Sequence, residues 1–140
     1  MSGRRPAIVG GVLVLLGVVL VGASVVLGTR SDAGTAGAPR VIQIIAGPGY
    51  TFTPSAITVQ RGETITFAVT TMGPLAHEFM VGPAAAVAAD QAGTPEITDI
   101  GMMDTKTLTY TFEGSGPYAF ACHAPGHYEA GMRGTITVVG

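Results

Sequence analysis

Four side chains that bind soft metal ions lie in the second half of the chain. Cys122, His127 and Met132 are spaced Cys-x4-His-x4-Met within the segment CHAPGHYEAGM, and His77 precedes this segment. A thiolate, two imidazoles and a thioether suit copper in both oxidation states, and a trigonal His₂Cys group with a weak axial Met is the geometry of blue copper sites. The spacing therefore predicts one type 1 copper ion bound by His77, Cys122, His127 and Met132.

The elements around these residues explain how they could meet. Cys122 ends a predicted strand, a loop over residues 124–131 that contains Gly and Pro turns the chain back, and the next strand begins near Gly134. Three ligands on one hairpin loop can converge on a single ion. His77, on a neighbouring predicted strand, would complete the site.

Each residue of this set also has an ordinary structural explanation. A single Cys is often a small buried apolar side chain. Met132 could fill a core, and His127 could be a surface loop residue. The four residue types occur together at loop spacing, with His77 on an upstream strand, and this combination favours the metal site.

Other His and Met residues are interpreted as structural. His123 follows Cys122 directly, so its side chain would point to the opposite side of an extended chain, and we interpret it as a loop residue. Met side chains commonly fill irregular gaps in cores. Packing positions are therefore predicted for Met72, Met80, Met102 and Met103.

Apolar and polar side chains alternate over most of residues 41–140, with Gly and Pro between the runs. Ile65 and Phe67, for example, alternate with Thr64 and Thr66, which indicates a strand with one buried and one solvated face. About six to eight short strands of this kind predict an all-β fold. We expect a β-sandwich, because the apolar faces of two sheets must cover each other.

One segment departs from this alternation. Between Pro83 and Gly101, the run AAAVAADQ predicts about two helical turns. The following residues, AGTPEITDIG, are interpreted as a loop. The acidic insertion between residues 83 and 105, which contains both segments, is a candidate for determining which partner binds.

The two halves of residues 41–140 resemble the cupredoxins, the superfamily of plastocyanin, azurin and auracyanin. The segment GPYAFACHAPGHYEAGMRGTITV is similar to their C-terminal copper motif, and FTPSAITVQRGETITFAVTTMGPLAHEFMV is similar to their first-half signature. The resemblance implies a Greek-key, cupredoxin-like β-sandwich. It also implies His77, Cys122 and His127 as equatorial copper ligands, with Met132 as the axial ligand.

This sequence departs from the cupredoxin pattern at two places. Its Cys-to-His interval is longer than that of plastocyanins and its His-to-Met interval is longer than that of azurins, so auracyanin-like spacing is the most similar. Many cupredoxins have an Asn a few residues before the first His ligand, where it braces the ligand loop. This chain has Thr70, Thr71 and Met72 in that stretch.

A membrane anchor is predicted before the copper domain. Residues 7–28 carry no charge, and a helix of that length would reach about 33 Å, which matches a hydrocarbon core of about 30 Å. The basic residues of segment 1–6 predict that this segment is cytoplasmic and that residues 41–140 lie on the outer face. Residues 29–40 are interpreted as a flexible linker. A cleaved signal peptide is the alternative, although its apolar region is usually shorter.

Composition excludes several classes of protein. The chain has 140 residues and a net charge of −2, and its seven Lys and Arg residues are scattered, so we expect no nucleic acid partner. Its single Cys excludes an internal disulfide and any site that needs two thiolates. From Arg40 onward, four basic and eight acidic residues give a net charge of −4, which would suit a basic redox partner such as a cytochrome.

A site filled by four side chains leaves no open position for a substrate, so we expect an electron carrier rather than an enzyme, with no small-molecule substrate. It would be a monomer that shuttles single electrons between redox proteins such as cytochromes or membrane oxidoreductases. Copper resistance or delivery outside the cytoplasm would use the same ligands and is the alternative. A multicopper oxidase would need more His residues than the three present. The complete ligand set disfavours a metal-free interaction domain.

Overall fold

The computed structural model describes residues 38–140, which form nine β-strands and one short helix. The predicted cytoplasmic segment 1–6, the predicted membrane span 7–28 and most of the predicted linker 29–40 lie outside the described residues. Among residues 38–140, no helix has the length and apolar character that crossing a bilayer requires. In chain order the elements are β1 (Arg40–Ala46), β2 (Phe52–Thr53), β3 (Ala56–Gln60), β4 (Thr64–Thr71), β5 (His77–Pro83), α1 (Ala84–Ala88), β6 (Glu96–Ile100), β7 (Thr105–Thr111), β8 (Tyr118–Ala121) and β9 (Arg133–Val139).

The strands form two mixed sheets, which confirms the predicted all-β sandwich. The first sheet has the order β2-β1-β4-β7, and the second has the order β3-β9-β8-β5-β6. The pairs β1–β4 and β3–β9 are parallel, whereas the other neighbours are antiparallel. Strands that are distant in sequence are therefore neighbours, and β5 lies directly beside β8.

A cluster of aromatic rings fills the space between the sheets. Phe67 and Phe79 are fully buried with ring centroids 5.2 Å apart, and Phe120 lies 5.4 Å from Phe79. Tilted and edge-to-face rings at such separations add to the free energy gained from burial. The same cluster includes Cys122 and Met132, so two of the predicted ligands are set into the core.

Threonine side chains cover the outer face of the β4–β7 pair, as their alternation with apolar residues predicts. Their hydroxyls are hydrogen-bonded across the two strands at 2.7–2.9 Å, in the pairs Thr64–Thr111, Thr66–Thr109 and Thr70–Thr105. This face therefore uses few charged residues.

The insertion after β5 differs from its prediction in two ways. Helix α1 has only five residues, so it is shorter than the two predicted turns, and the segment interpreted as a loop contains strand β6. Strand β6 pairs with β5 through a register shift between His77 and Phe79, and Asp99 has a positive φ of 51°. A bulged strand loses the strict two-residue period, so the sequence pattern did not indicate it.

Candidate metal centre

The fold brings the predicted ligands to one end of the second sheet. His77 is the first residue of β5, and Cys122 follows the last residue of the adjacent antiparallel strand β8. The loop between β8 and β9 is closed by two backbone hydrogen bonds. The N–H of Cys122 donates to Met132 O at 3.0 Å, and the N–H of Met132 donates to His127 O at 3.0 Å. All three loop ligands are therefore fixed relative to one another.

Three of the four predicted donors converge in a buried cluster. Nδ1 of His77 lies 3.2 Å from Nδ1 of His127, which lies 3.3 Å from Sγ of Cys122. Their donor atoms all lie within 4.8 Å of one another. Ligand atoms at about 2.0–2.3 Å from a common ion are separated by about 3–4 Å, so these distances match those of a shared metal. His77, Cys122 and His127 are 1%, 0% and 8% exposed.

Burial shifts the pKa values of two residues in this cluster, His77 and Cys122. It lowers the pKa of His77, and the neighbouring His127 lowers that pKa further. A neutral imidazole is the form that binds a metal. Burial raises the pKa of the Cys122 thiol, while backbone N–H groups, including that of Glu78 at 3.2 Å from Sγ, oppose the rise. A bound metal would deprotonate this thiol, because it adds a large local positive charge.

The chemistry of the donor set fits copper. A thiol, two imidazoles and the fully buried thioether-bearing side chain of Met132 are present together, with the core on one side. A family model described as copper-binding proteins of the plastocyanin/azurin family matches residues 41–139.

The chain belongs to the plastocyanin/azurin family.

Copper is the cofactor of this family, and the four residues form an arrangement like a type 1 copper site. The copper-resistant cuproprotein CopI of Rubrivivax gelatinosus is 32% identical over 121 residues, which cover 79% of this chain and 72% of that protein. The CopI protein of Pseudomonas aeruginosa is also 32% identical, with 76% of this chain and 80% of that protein covered. Auracyanin A, a blue copper protein of Chloroflexus aurantiacus, has the same fold with a TM-score of 0.61 at 23% identity, covering 73% of this chain and all of auracyanin A.

Thr71 supports the site, and it lies in the stretch where many cupredoxins have a bracing Asn. Its buried hydroxyl donates to the carbonyl of Ile100 at 2.8 Å, and Ile100 pairs with His77 between β5 and β6. The bond therefore ties β4 to the residue beside the first ligand. The alternation that places Phe67 and Val69 inside also places Thr71 inside, and a polar residue at an inner position is a signal of such a bond.

Gly47 gives His77 the space that it needs. Its φ is +84°, and a Cβ there would overlap the carbonyl of Met72 and lie 3.2 Å from Nε2 of His77. Only glycine combines this backbone conformation with so close an approach. The contact joins residues far apart in the chain, so the sequence did not reveal it.

The ring of Tyr50 packs against the ligand His127. The two ring centroids are 4.9 Å apart in an edge-on arrangement, and Tyr50 is itself exposed. His127, which is 8% exposed, therefore contacts an aromatic ring that reaches the solvent.

His123 lies outside the donor cluster, as predicted. Its Nε2 is 2.8 Å from the carbonyl of Val87 in α1, and its ring stacks on Tyr128 with centroids 4.8 Å apart. His123 therefore joins the ligand loop to the insertion helix.

The prediction of packing positions for the additional Met residues is confirmed for one residue and wrong for three. Met80 is 2% exposed, in a cluster with Val87 of α1. Met72, Met102 and Met103 are 37%, 64% and 65% exposed. Met72 directly follows β4, and Met102 and Met103 lie in the turn between β6 and β7. These positions are outside the strands, so the side chains lie in solvent instead of in the core.

Proposed function

We propose that the protein binds one copper ion through His77, Cys122, His127 and Met132 and acts in copper resistance. The buried cluster of His77, Cys122 and His127 carries the copper-binding part of this proposal. The resistance role is supported by the two copper-resistant cuproproteins CopI, of which the chain covers 72% and 80%.

The chain's own residues would hold the ion away from solvent. Burial keeps His77 neutral by lowering its pKa, and it removes the donors from competing water. The backbone N–H of Glu78 points at Sγ of Cys122 and would stabilise the thiolate once it forms. The bound ion would supply a reversible Cu(I)/Cu(II) couple. Because side chains would fill all of its coordination positions, the bound copper ion would not be free to react with other molecules.

The copper site is tested by adding Cu(II) to the purified chain and recording its visible spectrum. We expect an intense thiolate-to-copper band at one equivalent, which Cys122→Ser abolishes. His123→Ala is the matched control, because it removes an adjacent imidazole that lies outside the cluster. A band that survives in Cys122→Ser, or no band in the wild type, would overturn the assignment.

The resistance role is tested in the host organism. Deleting the gene is expected to lower the copper concentration that stops growth, and wild-type protein but not Cys122→Ser should restore it. Zinc tolerance is the control, because the proposal concerns copper alone. Unchanged copper tolerance in the deletion strain would reject resistance as the role.

Single-electron transfer is a second candidate function, and a specific observation favours it. Side chains supply all four proposed ligands, which leaves no substrate position, and His127 reaches the exposed ring of Tyr50. Its partners would be basic redox proteins such as cytochromes or membrane oxidoreductases, and the protein would be a monomeric carrier rather than an enzyme. Reduction of the copper-loaded protein by a basic cytochrome should slow as salt rises. A rate independent of salt would count against this partner class.

The proposed location is the outer face of the cell membrane, with residues 7–28 as an uncleaved anchor. The uncharged length of this segment and the preceding Arg4 and Arg5 support the proposal. The test is cell fractionation followed by protease treatment of spheroplasts. Membrane-bound protein whose copper domain is digested from outside is expected. Protein released in soluble form with a new N-terminus after residue 28 would instead indicate a cleaved signal peptide.

A further inference from the structure

Three exposed methionines lie at the end of the sandwich that holds the copper site. Met102 and Met103 occupy the turn between β6 and β7, and Met72 directly follows β4. They are 64%, 65% and 37% exposed, although methionine usually packs inside a protein. Packing therefore does not explain why this small surface carries three thioethers.

Backbone hydrogen bonds hold the turn that carries Met102 and Met103 beside Thr71, the residue before Met72. The N–H of Met103 donates to Thr71 O at 2.9 Å, and the N–H of Thr71 donates to Asp104 O at 3.1 Å. Because Met72 follows Thr71, its side chain starts next to the turn that carries Met102 and Met103. Each methionine side chain has three rotatable bonds, so the exposed thioethers can approach one ion.

The methionine surface adjoins the first copper ligand. Ile100, two residues before Met102, pairs with His77 across β5 and β6. On the other side, the carbonyl of Met72 and Nε2 of His77 both line the position of Gly47. The backbone of Met72 and of the turn that carries Met102 and Met103 therefore lies next to residues that contact or pair with His77.

We propose that Met72, Met102 and Met103 form a second copper site, exposed and selective for Cu(I), beside the buried centre. Thioethers are soft neutral ligands that select Cu(I) over harder cations. The carboxylate of Asp104, the residue after Met103, is exposed and favours a cation electrostatically. The site deepens the proposed role in copper resistance, on which it rests, because it would hold a second copper ion per chain.

The test is an anaerobic titration of the full chain with Cu(I), followed by NMR of ¹³C-labelled methionine methyl groups. The first equivalent is expected to shift the methyl of Met132, which reports the buried site. The second equivalent should shift the methyls of Met72, Met102 and Met103 and leave that of buried Met80 unchanged. No shift of the three exposed methyls at the second equivalent would overturn the proposal.

Substitutions separate thioether binding from general surface effects. The triple variant Met72→Leu, Met102→Leu and Met103→Leu keeps side-chain volume but removes the sulfur atoms. Removing a residue that only hydrogen-bonds to a metal ligand lowers metal affinity by about 10–100-fold. Removing the ligands themselves should therefore lower the affinity for the second Cu(I) ion at least tenfold, as measured by competition with a chromophoric Cu(I) chelator. Leu75→Ala, an exposed apolar residue of the same end, is the control and should not change it. Unchanged affinity in the triple variant would reject the site.

A variant without the buried centre distinguishes the two proposals. In Cys122→Ser combined with His77→Ala, the exposed site should still take one Cu(I) and shift the same three methyls. If the wild type shows no Met132 shift but does show the exposed shifts, the proposed buried site fails and the second site stands. If only Met132 shifts, the buried site stands and the second site fails.

Discussion

The surroundings of Cys122 have two opposite effects on the pKa of its thiol. Burial raises the pKa of its thiol, whereas backbone N–H groups on the sulfur, that of Glu78 at 3.2 Å among them, favour the thiolate. Without a metal the buried thiol stays protonated, and a bound ion would convert it to the thiolate. The protein therefore keeps its one reactive sulfur inert until a metal arrives.

Met132→Leu tests the role of the thioether. Leucine conserves volume in the core, so we expect the free energy of unfolding to change by less than about 1.5 kcal/mol. The thiolate-to-copper band should remain, because the axial sulfur is a weak ligand, while the reduction potential should change. Spectroscopy and potentiometry of the copper-loaded protein check both expectations. Met80→Leu, at another buried Met, is the control and should leave the potential unchanged.

Gly47→Ala tests the close approach beside His77. A non-glycine residue at positive φ costs about 1–2 kcal/mol, and the Cβ would also displace the Met72 carbonyl or His77. Gly49→Ala is matched in backbone, with φ +77°, but its Cβ would meet nothing within 4 Å. We expect both variants to be destabilised in denaturant unfolding and only Gly47→Ala to alter the copper band. An equal effect of the two on the band would contradict this interpretation.

At the residue scale, the sequence was enough to predict the ligand candidates and not their surroundings. His77, Cys122 and His127 could be found because thiol and imidazole groups are rare in this chain and their spacing suits a loop. Gly47 and Tyr50 contact ligands 30 and 77 residues away along the chain, and only the folded topology brings them together.

Among the strands, too, some could be predicted from the sequence and others could not. Strand β4 was predictable because its alternation is regular and one of its faces is buried. Strand β6 was missed because its pairing with β5 shifts register and its Asp99 has a left-handed backbone. Irregular strands are fixed by their partners more than by their own pattern.

The hydroxyl pairs between β4 and β7 give a prediction about these elements. In a double-mutant cycle of Thr66→Val and Thr109→Val, we expect a coupling free energy of about 0.2–1 kcal/mol, because the two hydroxyls bond across the strands at 2.9 Å. Denaturant unfolding of the four proteins measures it.

Thr58 and Thr137 provide the matched control for this cycle. They lie opposite each other in the parallel β3–β9 pair and are both exposed. In the described part of the chain their hydroxyls are not bonded to each other, so their coupling should be near zero. Equal coupling in the two cycles would show that the hydroxyl bond is not its source.

The stability of the whole domain should depend on pH through the pair of Arg40 and Glu63. Hydrogen bonds from Arg40, the shortest at 2.7 Å, lower the pKa of Glu63 in the folded state. A carboxyl group with a lowered folded pKa contributes stability above its unfolded pKa, about 4.3, and loses it as pH falls through the folded value. Because the pair is solvated, the contribution is about 0.2–1 kcal/mol.

Glu63→Gln checks this dependence. Wild type and variant should differ in unfolding free energy at pH 7, and the difference should disappear as the pH falls below about 4. Glu113→Gln, at an exposed carboxylate of the same domain, is the control. A difference between wild type and Glu63→Gln that grows in acid would contradict the sign.

At the scale of the whole domain, folding does not depend on metal binding. The aromatic core around Phe67, Phe79 and Phe120 is complete without any ion, and a domain of about 100 residues buries enough surface to fold alone. The copper ligands sit at one end of this core and are already close together. Binding of the ion should therefore require little rearrangement of the protein and cost little free energy.

Removal of copper should consequently lower stability without unfolding the domain. A ligand present at about 1,000 times its dissociation constant stabilises the folded state by about 4.1 kcal/mol. For a domain of this size each kcal/mol shifts Tm by about 4–8 °C, so chelation should lower Tm by roughly 15–30 °C while the far-ultraviolet circular dichroism at 25 °C stays unchanged. Cys122→Ser, which lacks the thiolate ligand, should show a much smaller effect of copper. Loss of the β-sheet signal on chelation would mean that the metal, and not the aromatic core, holds the two sheets together.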